Sequence, residues 1–215
     1  MPVFAIMEYL QCAERKRMKI YDISQEVFSC KIYPGDPKPE KQILSATAAD
    51  DLYNLSAFYM CAHNGTHIDA PFHFLHHGKT VDRLDLNVFV GECYVARHMA
   101  DVTASDAEAI LKKADGAERI LIAGDITVTA EAAEVFAASG ICLLGNEGQT
   151  VGPENAPMQV HLMLLRRGIV LLEGVVLRAV PEGHYFLSAA PLNLGGAEGA
   201  PCRAYLIGKE RCHAD

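Results

Sequence analysis

The spacing of hydrophobic and polar positions changes character along the chain. Met18-Lys19-Ile20-Tyr21-Asp22-Ile23-Ser24 reads as an extended strand, and residues 43–62 and 86–97 carry alternating or continuous apolar runs without helical spacing. From about residue 118 strands and helices take turns. Ile120-Leu121-Ile122-Ala123-Gly124 predicts a buried strand, Thr129 the cap of a helix over Ala130 to Ser139 that Gly140 ends, and Ile141-Cys142-Leu143-Leu144 the next strand. A second such unit has a helix from about Met158 to Arg167, stopped by Gly168, which leads into a strand from Ile169 to Val176. Strands first and two βαβ units later predict an α/β or α+β class. Tyr33-Pro34-Gly35-Asp36-Pro37 reads as a turn with an aromatic at its lip, and Gly195-Gly196-Ala197-Glu198-Gly199 as a loop.

Composition narrows the function classes. Half of the 215 residues are hydrophobic, enough for a sizeable core, and no linker divides residues 18–215, which are expected to form one domain. Residues 1–17 differ: an apolar start runs into Arg15-Lys16-Arg17 just before Met18, as a short appended helix or a stretch upstream of the true start would. A formal charge of -8 without a basic block excludes a phosphate-neutralising groove, so the partner is expected to be a small molecule and not nucleic acid. Seven scattered cysteines, an odd number with no CxxC pair, fit neither a disulfide framework nor a zinc ribbon and point to the reducing cytoplasm. No apolar run approaches the roughly 20 residues of a membrane span, and the N-terminus lacks the basic region of a secretory signal.

The chemistry concentrates in His63-Asn64-Gly65-Thr66-His67-Ile68-Asp69-Ala70-Pro71-Phe72-His73-Phe74. Three imidazoles and a carboxylate in so short a stretch supply the nitrogen and oxygen ligands that suit zinc or a similar divalent ion. His63 and His67 stand four apart, but Gly65 and Pro71 are incompatible with a regular helix, and the glutamate of the helical zinc-protease motif is missing. A turn at Asn64-Gly65 followed by a strand fits better, because it points His67 and Asp69 to one face. Pro71 then bends the chain so that His73 can return to the same cavity. Thr66 and Asn64 are candidates for orienting the ligands.

Glu173 interrupts an otherwise apolar strand, where a carboxylate must neutralise or find a partner. A metal ion shared with His161, on the preceding helix, is one such partner; an ion pair with Arg178 or Arg203 is another. Asp125 is expected to act as a helix cap, His76 and His77 to sit on a solvated loop, and Cys61 to be a small strand residue in preference to a soft ligand.

The pattern HxGTHxDxPxHF, filled by His63, Gly65, Thr66, His67, Asp69, Pro71, His73 and Phe74, resembles the signature of the metal-dependent cyclase-like hydrolases, which include bacterial kynurenine formamidase and isatin hydrolase. Tyr21-Asp22-Ile23-Ser24, Tyr33-Pro34-Gly35-Asp36-Pro37, Gly124-Asp125, the His161 to Glu173 spacing, Leu172-Glu173-Gly174 and Ala190-Pro191-Leu192 are similar to the family's other landmarks and follow the same order, over residues 18 to 208 or so. The resemblance implies a swivelling β/β/α domain and a homodimer or higher oligomer. It also implies two divalent ions, zinc or alternatively manganese, one held by His63, His67 and Asp69 and the other by Asp69, His161 and Glu173, with Asp69 bridging.

By the same resemblance His73 takes the general acid/base role and Tyr33 belongs to the substrate pocket. The implied reaction is hydrolysis of an arylformamide such as N-formylkynurenine, or of a cyclic amide such as isatin or a lactam, by metal-activated water. Lactone or ester hydrolysis and a silent metal-binding module are the alternatives. One stretch departs from the family: Asn146-Glu147-Gly148-Gln149-Thr150-Val151-Gly152-Pro153 stands where formamidase-like members often carry an acidic residue and a Ser-Val-Asp-like turn, and Gly152 replaces that turn's carboxylate. It bears on the substrate more than on hydrolysis.

Overall fold

The computed structural model describes residues 18–209; the expected N-terminal extension lies outside them. Strands β1 (Met18–Asp22), β4 (His67–Asp69), β5 (Val90–Arg97), β6 (Arg119–Ala123), β7 (Leu143–Asn146), β8 (Val170–Glu173), β9 (Gly183–Ser188), β10 (Gly199–Pro201) and β11 (Tyr205–Lys209) form one nine-stranded sheet in the order β1-β11-β9-β5-β6-β7-β8-β4-β10. Its centre, β5 to β8, is parallel, and both flanks are antiparallel.

The parallel centre is joined by helices α1 (Ala104–Ala114), α2 (Ala130–Ala138) and α3 (Met158–Leu165). The second and third are those the sequence predicts. The first is an addition, so β5, α1 and β6 make a third βαβ unit. Thr103 and Asp106 close α1 with a capping box, and its buried Ala107, Ile110 and Ala114 recur at helical spacing. Thr129 caps α2 by accepting from the Ala132 N–H; Asp125 is exposed and caps no helix, contrary to expectation, because the chain still needs several extended residues before α2 can begin.

Strand alternation builds two cores. Tyr94, Ala96, Ile120, Ile122, Leu144 and Leu171 face the helices, packing against Phe136 and Leu164, while Val95, Leu121, Leu143, Val170 and Leu172 face the other way. Among the described residues no helix covers that second face. It is closed by the sheet's own flanks, with Ile68 of β4, Leu187 of β9 and Leu206 of β11 in the same cluster, so the sheet curls over its own side chains. Strands β2 (Glu40–Ser45) and β3 (Leu55–Tyr59), of which β3 falls within the run predicted over residues 43–62 and β2 starts three residues before it, leave the main sheet and form a separate antiparallel hairpin.

Strand β4 shows how the fold prepares a site. It is buried throughout and lies between β8 and β10, with Ile68 in the curled core and His67 and Asp69 on the opposite face. Ile68→Ala removes a fully buried side chain that anchors this strand, and is expected to destabilise the protein by about 2–5 kcal/mol. Denaturant unfolding measures this; a change below about 1 kcal/mol would contradict the packing described.

Candidate metal centre

The β4–β8 register places His67 opposite Glu173, and Asp69 lies one step further along the same face. Helix α3 lies over this end of the sheet and brings down His161. Asn64 closes the preceding turn by accepting from the Cys61 N–H at 3.0 Å, and its amide donates to Pro37 O at 3.2 Å. Thr66 Oγ1 donates to Gly174 O at 2.7 Å and accepts from the Gln25 N–H at 2.9 Å, locking β4 to the end of β8. Past Asp69, Pro71–His73 forms a 3₁₀ turn that swings His73 back beside His63, with ring centroids 4.2 Å apart. Gly199 admits this arrangement: a Cβ there would stand 2.9 Å from His63 Cε1 and 2.7 Å from Ile68 O.

Asp69 is the hub. His63 Nδ1 lies 2.9 Å from its Oδ1, His67 Nε2 3.4 Å from the same oxygen, and His161 Nε2 3.5 Å from Oδ2. Glu173 faces the same imidazoles, 3.6 Å from His67 Nε2 and 3.2 Å from His161 Nε2. Its Oε1 also accepts from the Val151 N–H at 2.8 Å. The rival partners for Glu173 are engaged elsewhere: Arg203 pairs with Asp22, and the residues facing Glu173 do not include Arg178.

Three observations fit these residues to divalent ions. Apart from the His63–Asp69 contact, the nitrogen-to-oxygen separations of 3.2–3.6 Å exceed the length of a good charge-assisted hydrogen bond. They match the spacing of about 3.4 Å between two ligands that share an ion at about 2.1 Å in tetrahedral geometry. Second, His67 Nδ1 sits 3.0 Å from Gly65 O and His161 Nδ1 2.9 Å from Pro157 O, so each ring donates backwards and aims Nε2 at the carboxylates, where it can bind an ion once its proton is displaced. Third, Asp69 is 1 % exposed, and its Oδ2 takes no hydrogen bond among the described residues. Two ligand groups meet at Asp69: His63, Asp69 and His73 in one, His67, Asp69 and Glu173 in the other.

Charge explains the proton affinities of the metal-free chain. Burial opposes a charge on His67, but the nearby carboxylates of Asp69 and Glu173 outweigh it and raise its pKa well above the ordinary value; the same contest pushes His161 up to about 10. His63 is raised more modestly, with Asp69 again overcoming burial. Burial works against the Asp69 charge, yet His161, His63 and His67 hold its carboxyl well below the usual range. His73 goes the other way: burial dominates and lowers its pKa.

The cavity beside these groups has a volume of about 230 Å³ and is lined by Tyr33, His63, His67, His73, His161 and Glu173, together with Phe74 and Pro157. Tyr33 donates its hydroxyl to Glu154 O at 2.7 Å, which fixes the ring at the cavity wall. Asp36, from the same turn, and Gln149 and Thr150, from the stretch that departs from the family pattern, complete the lining. Glu198, 3.4 Å from His63 Nε2, has no signal in the sequence, since only the pairing of Gly199 with Asp69 brings its loop here. His76 and His77 are exposed, as expected. Cys61 is half-buried and lies outside both ligand groups, and burial raises its thiol pKa.

Comparison with known proteins supplies a second line. The family described as "Putative cyclase" matches residues 21–152. A kynurenine formamidase of Bacillus anthracis is 34% identical over 211 residues, 89% of this chain and 98% of that protein. A solved structure of a potential metal-dependent hydrolase with cyclase activity superposes with a TM-score of 0.75 at 28% identity, over 91% of this chain and all of the other. An isatin hydrolase bound to the product analogue thioisatinate shares the fold, with a TM-score of 0.79 at 18% identity over 98% of this chain and 100% of that one.

Because carboxylates keep His63, His67 and His161 protonated further up the pH scale than free imidazoles, an ion entering here must displace protons. Titrating Zn²⁺ into metal-free protein at pH 7 should release about one proton or more per chain, and apparent affinity should fall as pH is lowered. Calorimetry in two buffers of different ionisation enthalpy reads the release; a pH-independent affinity between pH 6 and 9 would contradict the charge arrangement.

Proposed function

Because this chain belongs to the cyclase family, we propose that it is a metal-dependent hydrolase of amides, acting on an arylformamide or a cyclic amide. The observation that carries this reading is the convergence of three imidazoles and two carboxylates on one buried point beside an open cavity. The formamidase name of a relative that covers most of the chain supports an amide as substrate.

His63, His67, Asp69, His161 and Glu173 would hold the metal, expected to be two divalent ions, and the nitrogen and oxygen donor set suits zinc or manganese. When bound, such an ion polarises a carbonyl oxygen and lowers the pKa of water to about 7. The chain's own residues do the rest. Gly65 O and Pro157 O fix the tautomers of His67 and His161. Phe74, its ring 4.8 Å from that of His161 and 4.5 Å from that of His73, holds both in place and keeps water from that wall. His73 lies against His63 with its pKa lowered by burial, so its imidazole is neutral near pH 7 and can take a proton from water and pass it to the leaving nitrogen. Tyr33, which lines the same cavity, packs against the substrate.

The active form is a homodimer or a larger homo-oligomer in the cytoplasm. The β2–β3 hairpin supports association: Ile43, Leu44, Leu52, Leu55, Phe58 and Tyr59 are all exposed, Leu52 at 97%. The five cysteines among the described residues are free thiols, which supports a reducing compartment.

Three variants test the site together. Asp69→Ala should lose more metal than His63→Ala, because it removes a ligand common to both ions. His73→Ala should keep its metal and lose turnover by roughly 100-fold to 10,000-fold. Elemental analysis and assays on formanilide and isatin read both; full metal retention by Asp69→Ala, or parent-like turnover by His73→Ala, would sink the assignment. Separately, Ile43→Glu with Phe58→Glu should convert the parent oligomer to monomer in light scattering after size-exclusion chromatography. A parent that is already monomeric ends the association reading.

A further inference from the structure

The three imidazoles around Asp69 do not present the same nitrogen. His67 and His161 each give Nδ1 to a backbone carbonyl, Gly65 O and Pro157 O, and aim Nε2 at the carboxylates. His63 is turned the other way. Its Nδ1 lies 2.9 Å from Asp69 Oδ1, the oxygen that His67 Nε2 also faces, so Nδ1 is the nitrogen that an ion on Oδ1 would take. Nε2 is then the outer nitrogen, and no carbonyl stands behind it: it is buried without a hydrogen bond among the described residues.

What this nitrogen faces is a carboxylate. Glu198 Oε1 lies 3.4 Å from His63 Nε2, roughly 0.5 Å further than in a charge-assisted hydrogen bond. The backbone holds the glutamate at that place. Glu198 O accepts from the Ala70 N–H at 2.9 Å, Ala197 O accepts from the Val81 N–H at 2.9 Å, and Gly199 is the cross-strand partner of Asp69 itself. A neutral His63 that offers Nδ1 to an ion carries its proton on Nε2, and a buried N–H left unpaired is costly. The Glu198 side chain is partly exposed, so it can close the remaining gap by rotating, with the backbone unmoved. A metal-bound imidazole holds its ion better when its other nitrogen donates to an acceptor, and a charged acceptor raises the basicity of the ring.

We propose that Glu198 is a positioning residue: it accepts the Nε2–H of His63, fixes the tautomer in which Nδ1 binds the ion, and so tightens the ion held by His63, His67 and Asp69 without acting on the one at His161 and Glu173. This rests on the metal-hydrolase reading and adds to it a carboxylate that lies outside the ligand set and works through one ligand.

Zinc affinity tests this without any substrate, by competition between the full chain and a chromogenic chelator. Glu198→Ala should weaken one bound ion by about 10-fold to 100-fold and leave the other within about threefold. Glu198→Gln keeps an acceptor oxygen but not the charge, and should weaken the same ion by only about threefold to tenfold. That partial rescue is what a merely structural role would not give. Cobalt-substituted protein supplies a spectroscopic readout, the exchangeable ring N–H signals of the ligand histidines in the paramagnetic proton NMR spectrum. The signal of His63 should be sharp in the parent and broadened by exchange with water in Glu198→Ala, while those of His67 and His161, bonded to carbonyls, stay sharp. Unchanged zinc affinity in Glu198→Ala, an equal loss of both ions, or a His63 N–H as sharp in that variant as in the parent overturns the proposal. Should Glu198→Ala fail to fold, Glu198→Gln decides alone: weaker binding of one ion by about threefold or more upholds the role, and parent-like binding overturns it. A parent that binds no zinc sinks the metal centre and the proposed function with it, whereas tight zinc binding in the parent and both variants alike removes only the role of Glu198.

Discussion

A carboxylate at 1 % exposure is the constraint on which this structure turns. Asp69 lies in a strand with neighbours on both sides, where an isolated negative charge would be prohibitive. The chain answers by bringing positive or metal-binding groups from three directions: the turn before β4 with His63, the strand itself with His67, and helix α3 with His161. Much of the nearby architecture follows from holding these groups together. The Thr66 hydroxyl bridges Gln25 and Gly174, Asn64 ties the His63 turn to Pro37, and Gly199 yields space to the His63 ring.

Strand register makes the arrangement all-or-none. His67 and Glu173 are cross-strand partners, so a one-residue slip of β4 against β8 would bury His67 and Asp69 in the curled core and turn Ile68 towards the cavity. The fully buried Ile68, packed with the aliphatic side chains of β6, β7 and β8, makes that slip unfavourable. Apolar packing on one face thus specifies the polar chemistry on the other.

The segment from His63 to Phe74 was legible because its chemistry is local: the residue types, their alternation and the proline bend all lie within one stretch. Glu173 could be seen to need a partner, but which one could not be read, because the choice between His161 and an arginine depends on where α3 lies over the sheet. Helix α1 carries its own local signals, the Thr103–Asp106 capping box and the helical spacing of Ala107, Ile110 and Ala114, and was legible on the same terms as the two helices after it. The strands of the β2–β3 hairpin were visible but their exposure was not, since an apolar run looks the same whether it faces a core or solvent. The place of Glu198 depends on a contact between distant segments.

The position of β4 also sets the order of events in folding. It belongs to the first half of the chain, yet its two neighbours in the sheet are β8 and β10, both made much later. During synthesis, His67 and Asp69 are therefore complete long before the strands that will flank them exist. Pairings between segments so far apart carry a large loop-closure penalty and form slowly. The juxtaposition of His67 and Asp69 with Glu173 comes into being only when the C-terminal strands close around β4, so the site exists only in a fully threaded chain.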